Sequence, residues 1–249
     1  MMLENKVAVV TGTAQGLGRA FCLKLAQEGA KIAAADINLA GAEETVRLIR
    51  EQGGEAFAIK VDVTKEEDVQ VMVAETVAKF GGIDILLNNA AIYYGLTRKP
   101  FFEIDAEEFD KVLTVNIKGT WMATKAVYPV MKLRDKGKVI NISSETFLTG
   151  SNGFVHYVAS KGGVVGLTRA IAREVGKDNI CVNAVAPGFT NTEASAGLAS
   201  LEKYDVSKNC IPRLGQPQDL VGIVAFLASD QSDFISGQTI LVDGGRQMI

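Results

Sequence analysis

The sequence predicts an α/β protein, a single domain of 249 residues built on a doubly wound parallel sheet with helices on both faces. Three observations predict it. Short apolar segments rich in β-branched residues alternate with longer amphipathic segments along the whole chain. The apolar segments are almost uninterrupted, as in strands that are buried on both faces. No internal repeat, low-complexity segment or linker rich in Pro, Gly and Ser divides residues 1–249.

The first half of the chain predicts four strands and three helices in alternation. The strands are expected over residues 6–11, 31–36, 56–61 and 83–88, and the helices over residues 17–28, 39–52 and 64–80. Gly29 and Gly53 end the first two helices in the usual C-terminal position. Thr64, with Glu67 three residues later, predicts a capping box at the start of the third helix.

The second half continues the alternation. Helices are expected over residues 106–131, 155–175 and 217–228, and strands over residues 138–143, 180–185 and 239–242. In such sheets ligands bind beyond the carboxyl ends of the strands. The residues that follow each strand are therefore the candidates for function.

Composition excludes several classes of protein. With 26 Lys and Arg against 29 Asp and Glu the net charge is −3, so no basic surface for nucleic acid is expected. The longest uncharged apolar stretch, residues 220–228, is too short to span a bilayer, and no secretory signal is visible. Cys22, Cys181 and Cys210 lack CxxC spacing, which predicts no metal site, no disulfide framework and a reducing, cytoplasmic location.

A glycine-rich loop follows the first predicted strand and leads directly into a helix. Gly12, Gly16 and Gly18 leave the backbone accessible, and a helix N-terminus offers unpaired N–H groups and a positive dipole end. A phosphate group binds well in such a place. The loop, including Gln15 and Leu17, is therefore predicted to hold the diphosphate of a dinucleotide.

Asp36 ends the second predicted strand and follows Gly18 by 18 residues. A carboxylate there can accept hydrogen bonds from both hydroxyls of the adenosine ribose, and it would repel a 2′-phosphate. Ile37 and Asn38, the next residues, offer no Arg to attract that phosphate. The predicted cofactor is therefore NAD rather than NADP. Small or polar residues after the third and fourth strands leave room for the adenosine, at Asp62, Val63, Asn89 and Ala90.

Tyr157 and Lys161 lie four residues apart in a predicted helix and so share one face. A free tyrosine has a pKa of about 10, and a neighbouring ammonium group favours the phenolate. The two residues are therefore a candidate general acid/base pair. Ser144 follows the fifth strand, where its hydroxyl could donate to a substrate oxygen, and Asn116 could order a lysine or a water molecule.

These residues resemble the short-chain dehydrogenase/reductase family over essentially the whole chain. Its glycine motif is matched by Thr11, Gly12, Gly16 and Gly18, and its Tyr-x-Ala-Ser-Lys motif by residues 157–161. Its Asn-Asn-Ala-Gly motif is present at residues 88–91, with Ala91 in place of the final glycine, and its Pro-Gly motif at residues 187–188. The family spacing of 13 residues between serine and tyrosine selects Ser144 over Ser143.

The resemblance implies a Rossmann-type fold and hydride transfer between an alcohol and the nicotinamide ring. Tyr157 would exchange the alcohol proton, Ser144 would hold the substrate oxygen, and Lys161 would bind the nicotinamide ribose and lower the pKa of Tyr157. Asn116 would anchor a water relay. The resemblance also implies that Pro187, Gly188, Thr190 and Thr192 contact the cofactor, and that the protein is a homotetramer.

In this family three variable segments supply the substrate pocket. Here they carry Tyr93, Glu145, Phe147, Phe154 and Phe189, and a lid is expected at about residues 189–213. This aromatic lining with few fixed charges favours a small hydrophobic or aromatic alcohol and its carbonyl partner. Local sequences are similar to those of NAD-dependent members that act on 1-phenylethanol and pyridoxal.

Two alternatives stay open. The first is reduction of a 3-oxoacyl group on acyl-carrier protein, which in this family usually implies NADPH and a basic docking surface; Asp36 and the acidic net charge count against it. The second is a non-catalytic NAD sensor, disfavoured because Ser144, Tyr157 and Lys161 are all present. His156 adjoins Tyr157, but helical neighbours point about 100° apart, so we expect it to pack rather than react.

Overall fold

The structure, a computed structural model that describes residues 1–93, 95–196 and 204–248, contains one parallel sheet. Its strands are β1 (Val7–Thr11), β2 (Lys31–Asp36), β3 (Ala56–Lys60), β4 (Ile85–Asn88), β5 (Gly137–Ile142), β6 (Ile180–Pro187) and β7 (Thr239–Val242). They lie in the order β3-β2-β1-β4-β5-β6-β7, and all pairs are parallel. This confirms the predicted doubly wound sheet. The strand order reverses between β1 and β4, where a crevice for ligands opens.

Nine α-helices are present in the described residues. They are α1 (Gly16–Gln27), α2 (Leu39–Glu51), α3 (Glu66–Phe80), α4 (Ala106–Leu113), α5 (Thr120–Leu133), α6 (Thr146–Thr149), α7 (Val155–Val175), α8 (Glu193–Ala196) and α9 (Pro217–Ala228). Within this part of the chain, no helix combines the length and the apolar composition needed to cross a membrane.

Each face of the sheet buries its own apolar core. On one face Phe21 and Leu25 of α1 pack with Val224 of α9 against the strands. On the other face Met72 of α3 and Val127 of α5 pack against the same sheet. Two covered faces explain why the strands read as continuous apolar segments.

The helix predicted over residues 106–131 is interrupted. A π-helical turn over residues 114–119 separates α4 from α5, and it contains the buried Asn116. Gly119, in the same turn, approaches the loop after β3 closely, because a Cβ atom there would lie 2.7 Å from Cγ2 of Val63. Such turns are frequent at functional sites.

The predicted capping box at Thr64 is wrong. Helix α3 begins at Glu66, and Lys65 rather than Thr64 is its N-cap residue. The Thr64 hydroxyl donates instead to the Asp62 carboxylate, at 2.7 Å. Acidic residues in the first turn of α3, Glu66 among them, interact favourably with the helix dipole. The strand–helix junction is thus stabilised without the predicted side-chain cap.

Candidate active site

A cavity of about 730 Å³ lies at the carboxyl ends of the strands. One end is formed by the glycine-rich loop between β1 and α1, and the other by residues that follow β5 and begin α7. The predicted cofactor-binding residues that line it are Gly12, Gln15, Gly16, Leu17, Gly18, Asp36, Asn89, Ala90, Tyr157, Lys161, Pro187, Gly188, Thr190 and Thr192. A cavity of this size is large enough for a cofactor-sized ligand.

The glycine-rich loop requires glycine at two positions. Gly12 has a φ of 72°, and a Cβ atom on it would lie 2.7 Å from Cα of Ala90. A Cβ atom on Gly18 would lie 1.8 Å from the carbonyl oxygen of Gly12. Asn89 fixes the loop, since its Nδ2 donates to the carbonyl oxygens of Thr11 and Gly12 at 3.1 and 2.8 Å. The close approach leaves the backbone of the loop accessible to a phosphate group.

The glycine-rich loop also contacts a carboxylate from the segment after β6. The backbone N–H of Gly16, the first residue of α1, donates to Oε2 of Glu193 at 3.1 Å. Glu193 begins α8, in the segment that follows β6. The contact places an anionic group at a helix N-terminus, where the dipole favours negative charge.

Asp36 lies at the carboxyl end of β2 with a fixed orientation. Its Oδ2 accepts from the Ala14 N–H and its Oδ1 from the Asn38 N–H, both at 2.8 Å. Ala14 and Asn38 line the cavity beside it, and no Lys or Arg of the described residues lines that end. A carboxylate in this position fits an adenosine ribose, whose hydroxyls can donate to it, and the Arg19 guanidinium lies nearby, donating to the Ala14 carbonyl oxygen.

Tyr157, Lys161 and Ser144 lie together at the opposite end of the cavity. Tyr157 is buried, with its ring centroid 5.0 Å from that of Tyr93. Nζ of Lys161, one helical turn later, lies 5.6 Å from the Tyr157 ring centroid and donates to the carbonyl oxygen of Ile142 at 2.8 Å. Lys161 is thus held by the end of β5 and close to the Tyr157 ring.

The pKa values correct one expectation. Burial, assisted by Tyr93, raises the pKa of the Tyr157 phenol above its ordinary value, while the Ser144 hydroxyl acts in the opposite direction. Burial lowers the pKa of Lys161 to about 8. Desolvation thus dominates the pKa of Tyr157, and Lys161 is not among the groups that shift it.

Asn116 does not line the cavity. Its side chain accepts from the Ile92 N–H at 2.7 Å and donates to the Ile92 carbonyl oxygen and to Oγ of Ser160, at 3.2 and 3.0 Å. Ser160 in turn donates to the Tyr157 carbonyl oxygen at 2.7 Å. Asn116 thus connects the loop after β4 to the turn of α7 that carries Tyr157, and its role in a water relay stays a prediction.

Several other predicted site residues lie outside the cavity wall. Asp62 is engaged by Thr64, and Val63 packs against Gly119, so neither lines the cavity. Phe147 is also outside, and its Cβ atom faces α7, since a Cβ atom on Gly162 would lie 3.9 Å from it. Tyr93, Glu145, Phe154 and Phe189 do line the cavity. Of the expected lid, residues 197–203 lie outside the described residues.

The cavity wall is more polar than the sequence predicts. Besides the aromatic residues, Arg98, Glu145 and Arg246 line it, so the expectation of few fixed charges is wrong. Tyr204 also lines it and stacks on Phe189, with ring centroids 4.9 Å apart. Arg98, Tyr204 and Arg246 were not predicted from the sequence. Of the three, Arg246 follows β7, so it was a candidate because ligands bind beyond the carboxyl ends of the strands.

His156 is fully buried, and its Nε2 lies 3.0 Å from Oε1 of Glu108 on α4. It does not line the cavity, which agrees with a packing role. Within residues 1–93, 95–196 and 204–248, no group of three or more His, Cys, Asp and Glu side chains is placed to hold a metal ion.

A dinucleotide-binding loop and a buried Tyr–Lys–Ser group in one cavity define an oxidoreductase that uses a nicotinamide cofactor. Comparison with known proteins agrees. A family model described as "Enoyl-(Acyl carrier protein) reductase" matches residues 12–247. The chain belongs to the short-chain dehydrogenase/reductase family, whose members act on CH–OH groups and the corresponding carbonyls.

Curated relatives match the chain over its full length. It is similar to the 3-oxoacyl-[acyl-carrier-protein] reductase FabG of Staphylococcus epidermidis, at 40% identity over 98% of this chain and 100% of that protein. An uncharacterized oxidoreductase of Mycobacterium tuberculosis is 42% identical, over 98% of each chain.

Solved structures also match nearly the whole chain. The structure of levodione reductase has a TM-score of 0.92 and 32% identity, covering 98% of each chain. A short-chain type dehydrogenase/reductase of Mycobacterium marinum has a TM-score of 0.93 and 30% identity, covering 99% of this chain and 97% of that one.

Proposed function

We propose that the protein is an NAD(H)-dependent oxidoreductase that interconverts a carbonyl compound and its alcohol, with Tyr157 as general acid/base. The observation that carries the proposal is the position of Tyr157, buried beside Ser144 in the same cavity as the glycine-rich loop. When bound, the nicotinamide ring supplies or accepts the hydride at its C4 atom.

The side chains of this site divide the remaining work. In reduction, Ser144 donates a hydrogen bond to the carbonyl oxygen and Tyr157 delivers the proton that completes the alcohol. In oxidation, Tyr157 accepts that proton. Lys161 binds the nicotinamide ribose hydroxyls, and Asn116 supports the turn of α7 through Ser160. Alignment of these groups and proton transfer by Tyr157 both contribute to the expected acceleration.

The pKa of Tyr157 favours the reductive direction. Burial raises this pKa further above neutral pH and so favours the protonated phenol, the form that acts as the acid in reduction. Oxidation requires the phenolate, which additional positive charge near the ring would stabilise. We therefore expect carbonyl reduction to be the more efficient direction at neutral pH.

The first candidate substrate is a 3-oxoacyl thioester on acyl-carrier protein. The names of several curated relatives that match over the full chain support it over a small alcohol. Asp36 supports NADH as the reductant in place of NADPH, because its carboxylate would repel a 2′-phosphate. The alternative, a small hydrophobic or aromatic alcohol, is supported by the aromatic wall of Tyr93, Phe154 and Phe189.

Assembly and location belong to the same proposal. We infer a cytoplasmic homotetramer from the family resemblance, with light scattering expected to give four times the mass of one chain. Neither nucleic acid nor a membrane is expected as a partner, given the net charge of −3.

The test is the change in absorbance of the reduced nicotinamide, with NADH and NADPH compared separately. The panel contains a 3-oxobutanoyl thioester of acyl-carrier protein, 2-butanone, and 1-phenylethanol with NAD. NADH-linked reduction of the thioester would support the first candidate, and turnover of 1-phenylethanol alone would select the second. Turnover with NADPH alone would contradict the role of Asp36.

A further inference from the structure

The cavity wall directly after Ser144 contains two buried polar atoms that lack partners among the described residues. They are Oε2 of Glu145 and Oγ1 of Thr146. Both residues line the cavity, and they are consecutive at the start of α6. A buried polar atom without a hydrogen bond is unfavourable by roughly 1–3 kcal/mol. Two such atoms on consecutive residues of a cavity wall indicate a group that a bound ligand completes.

The other oxygen of Glu145 is already engaged. Oε1 accepts a hydrogen bond from the Tyr204 hydroxyl at 2.9 Å, and Nε of Arg246 lies 3.9 Å from it. Burial raises the pKa of Glu145, while Tyr204 and Arg246 act in the opposite direction by stabilising the carboxylate. Oε2 is therefore available as a hydrogen-bond acceptor.

The surroundings hold the carboxylate in place. The Glu145 N–H donates to the Pro187 carbonyl oxygen at 2.9 Å. Nη1 of Arg246 donates to the Asp205 carbonyl oxygen and to Oδ1 of Asn209, at 2.9 and 3.1 Å. The Arg246 guanidinium also lies 4.5 Å from the centroid of the Tyr204 ring. With only 4% of Glu145 exposed, the side chain has little freedom to find another partner.

The chemistry of the two atoms selects the group they would bind. Oε2 of Glu145 accepts a hydrogen bond, whereas the Thr146 hydroxyl can both donate and accept. A substrate hydroxyl matches this pair because it also donates and accepts. An ammonium group would be opposed by the charge of Arg246, and a carboxylate by that of Glu145.

We propose that Glu145 is a specificity-determining residue that binds a second hydroxyl group of the substrate, close to the carbon that reacts. Glu145 and Ser144 line the same cavity, and the Thr146 N–H donates to Oγ of Ser144 at 3.3 Å, so the serine hydroxyl lies against this turn of the wall. The proposal rests on the proposed carbonyl–alcohol oxidoreductase function, and within its second candidate class, small alcohols and their carbonyl partners, it favours members that carry a further hydroxyl group. A 3-oxoacyl chain without such a hydroxyl would not use Glu145.

The test compares matched substrates that differ by one hydroxyl. They are 1-phenyl-1,2-ethanediol against 1-phenylethanol with NAD, and 1-hydroxy-2-butanone against 2-butanone with NADH. The proteins are the wild type, Glu145→Met, and Glu107→Met as the control, which removes an exposed carboxylate on α4. Wild type and control should prefer the hydroxylated partner by about 10- to 100-fold in kcat/KM, the range of a hydrogen bond to a charged group.

Glu145→Met should abolish that preference, so that the hydroxylated and plain partners have equal kcat/KM values in this variant. Binding of 1-phenyl-1,2-ethanediol and 1-phenylethanol to the complex with NADH, followed by nicotinamide fluorescence, repeats the comparison without turnover, because an alcohol cannot accept a hydride. Equal values for hydroxylated and plain partners in wild type, by both readouts, would overturn the assignment of Glu145. Hydroxyl-dependent binding without turnover of any compound would instead contradict the proposed oxidoreductase function and leave the Glu145 subsite standing.

Discussion

Burial determines the protonation of the two central residues of the site. Tyr157 and Lys161 are both almost completely buried, and desolvation disfavours the charged form of each. The phenol pKa is consequently raised and the pKa of the ammonium lowered to about 8. The protein alone therefore holds an acid ready for reduction next to a lysine that loses its proton just above neutral pH.

The lowered pKa of Lys161 predicts a change of stability with pH. Between the folded value of about 8 and the ordinary value of 10.5, the unfolded chain binds more protons than the folded one, so stability from this group rises with pH. Relative to Lys161→Met, the wild type should gain about 2 kcal/mol in free energy of unfolding between about pH 7.5 and 9.5. Urea unfolding of both proteins measures this, and parallel pH profiles would contradict the buried ammonium.

Individual site residues could be predicted from the sequence where the chemistry of the ligand dictates a residue type. Gly12, Gly18 and Asp36 follow from the needs of a diphosphate and a ribose, and the structure places all three in the cavity wall. It failed where tertiary contacts decide. The Asn116 side chain accepts a hydrogen bond from the N–H of Ile92, 24 residues away in sequence. Nε of Arg246, close to the C-terminus, lies 3.9 Å from Oε1 of Glu145. No local pattern encodes such pairs.

At the scale of elements, the segment after β6 contacts the glycine-rich loop through Glu193. The Glu193 carboxylate accepts from the Gly16 N–H, which belongs to the helix end where a cofactor diphosphate is expected to bind. Two anionic groups cannot share that position favourably. Binding of the dinucleotide should therefore displace Glu193.

Removal of this charge should strengthen cofactor binding. Glu193→Gln is expected to lower the Kd for NADH by about 2- to 5-fold, in line with the interaction of one charge with a helix end. Glu75→Gln, which removes an exposed carboxylate on α3, is the matched control and should bind NADH like the wild type. Fluorescence titration gives both values. An unchanged or weaker affinity in Glu193→Gln would show that the contact does not compete with the cofactor.

The elements themselves were largely predictable because both faces of the sheet are covered. Seven apolar strands and the long helices between them follow from hydrophobic periodicity, and α9 and β7 have the predicted bounds. The predicted helix bounds are wrong where side-chain contacts, rather than hydrophobic periodicity, decide the local backbone. Thr64 prefers the Asp62 carboxylate to the helix end, and the π-helical turn at Asn116 keeps the periodicity of a continuous helix.

At the scale of the whole molecule, the sheet brings both halves of the chemistry to one edge. The cofactor end is built by residues after β1, β2 and β4, and the reacting end by residues after β5 and β6. Only the parallel arrangement places these loops, distant in sequence, around one cavity. We propose that in this cavity hydride passes between NAD(H) and a carbonyl–alcohol pair while Tyr157 exchanges the proton.

The most direct test is the initial rate of NADH oxidation with the best carbonyl substrate, in wild type and in Tyr157→Phe. Because Tyr157 supplies the proton, the substitution should lower kcat by about 10²- to 10⁴-fold, the range of general acid catalysis. The Kd for NADH should stay within about 2-fold of the wild-type value, which shows that the fold and the cofactor end are intact. Hydride transfer at an undiminished rate in Tyr157→Phe would contradict the role of Tyr157 as general acid/base.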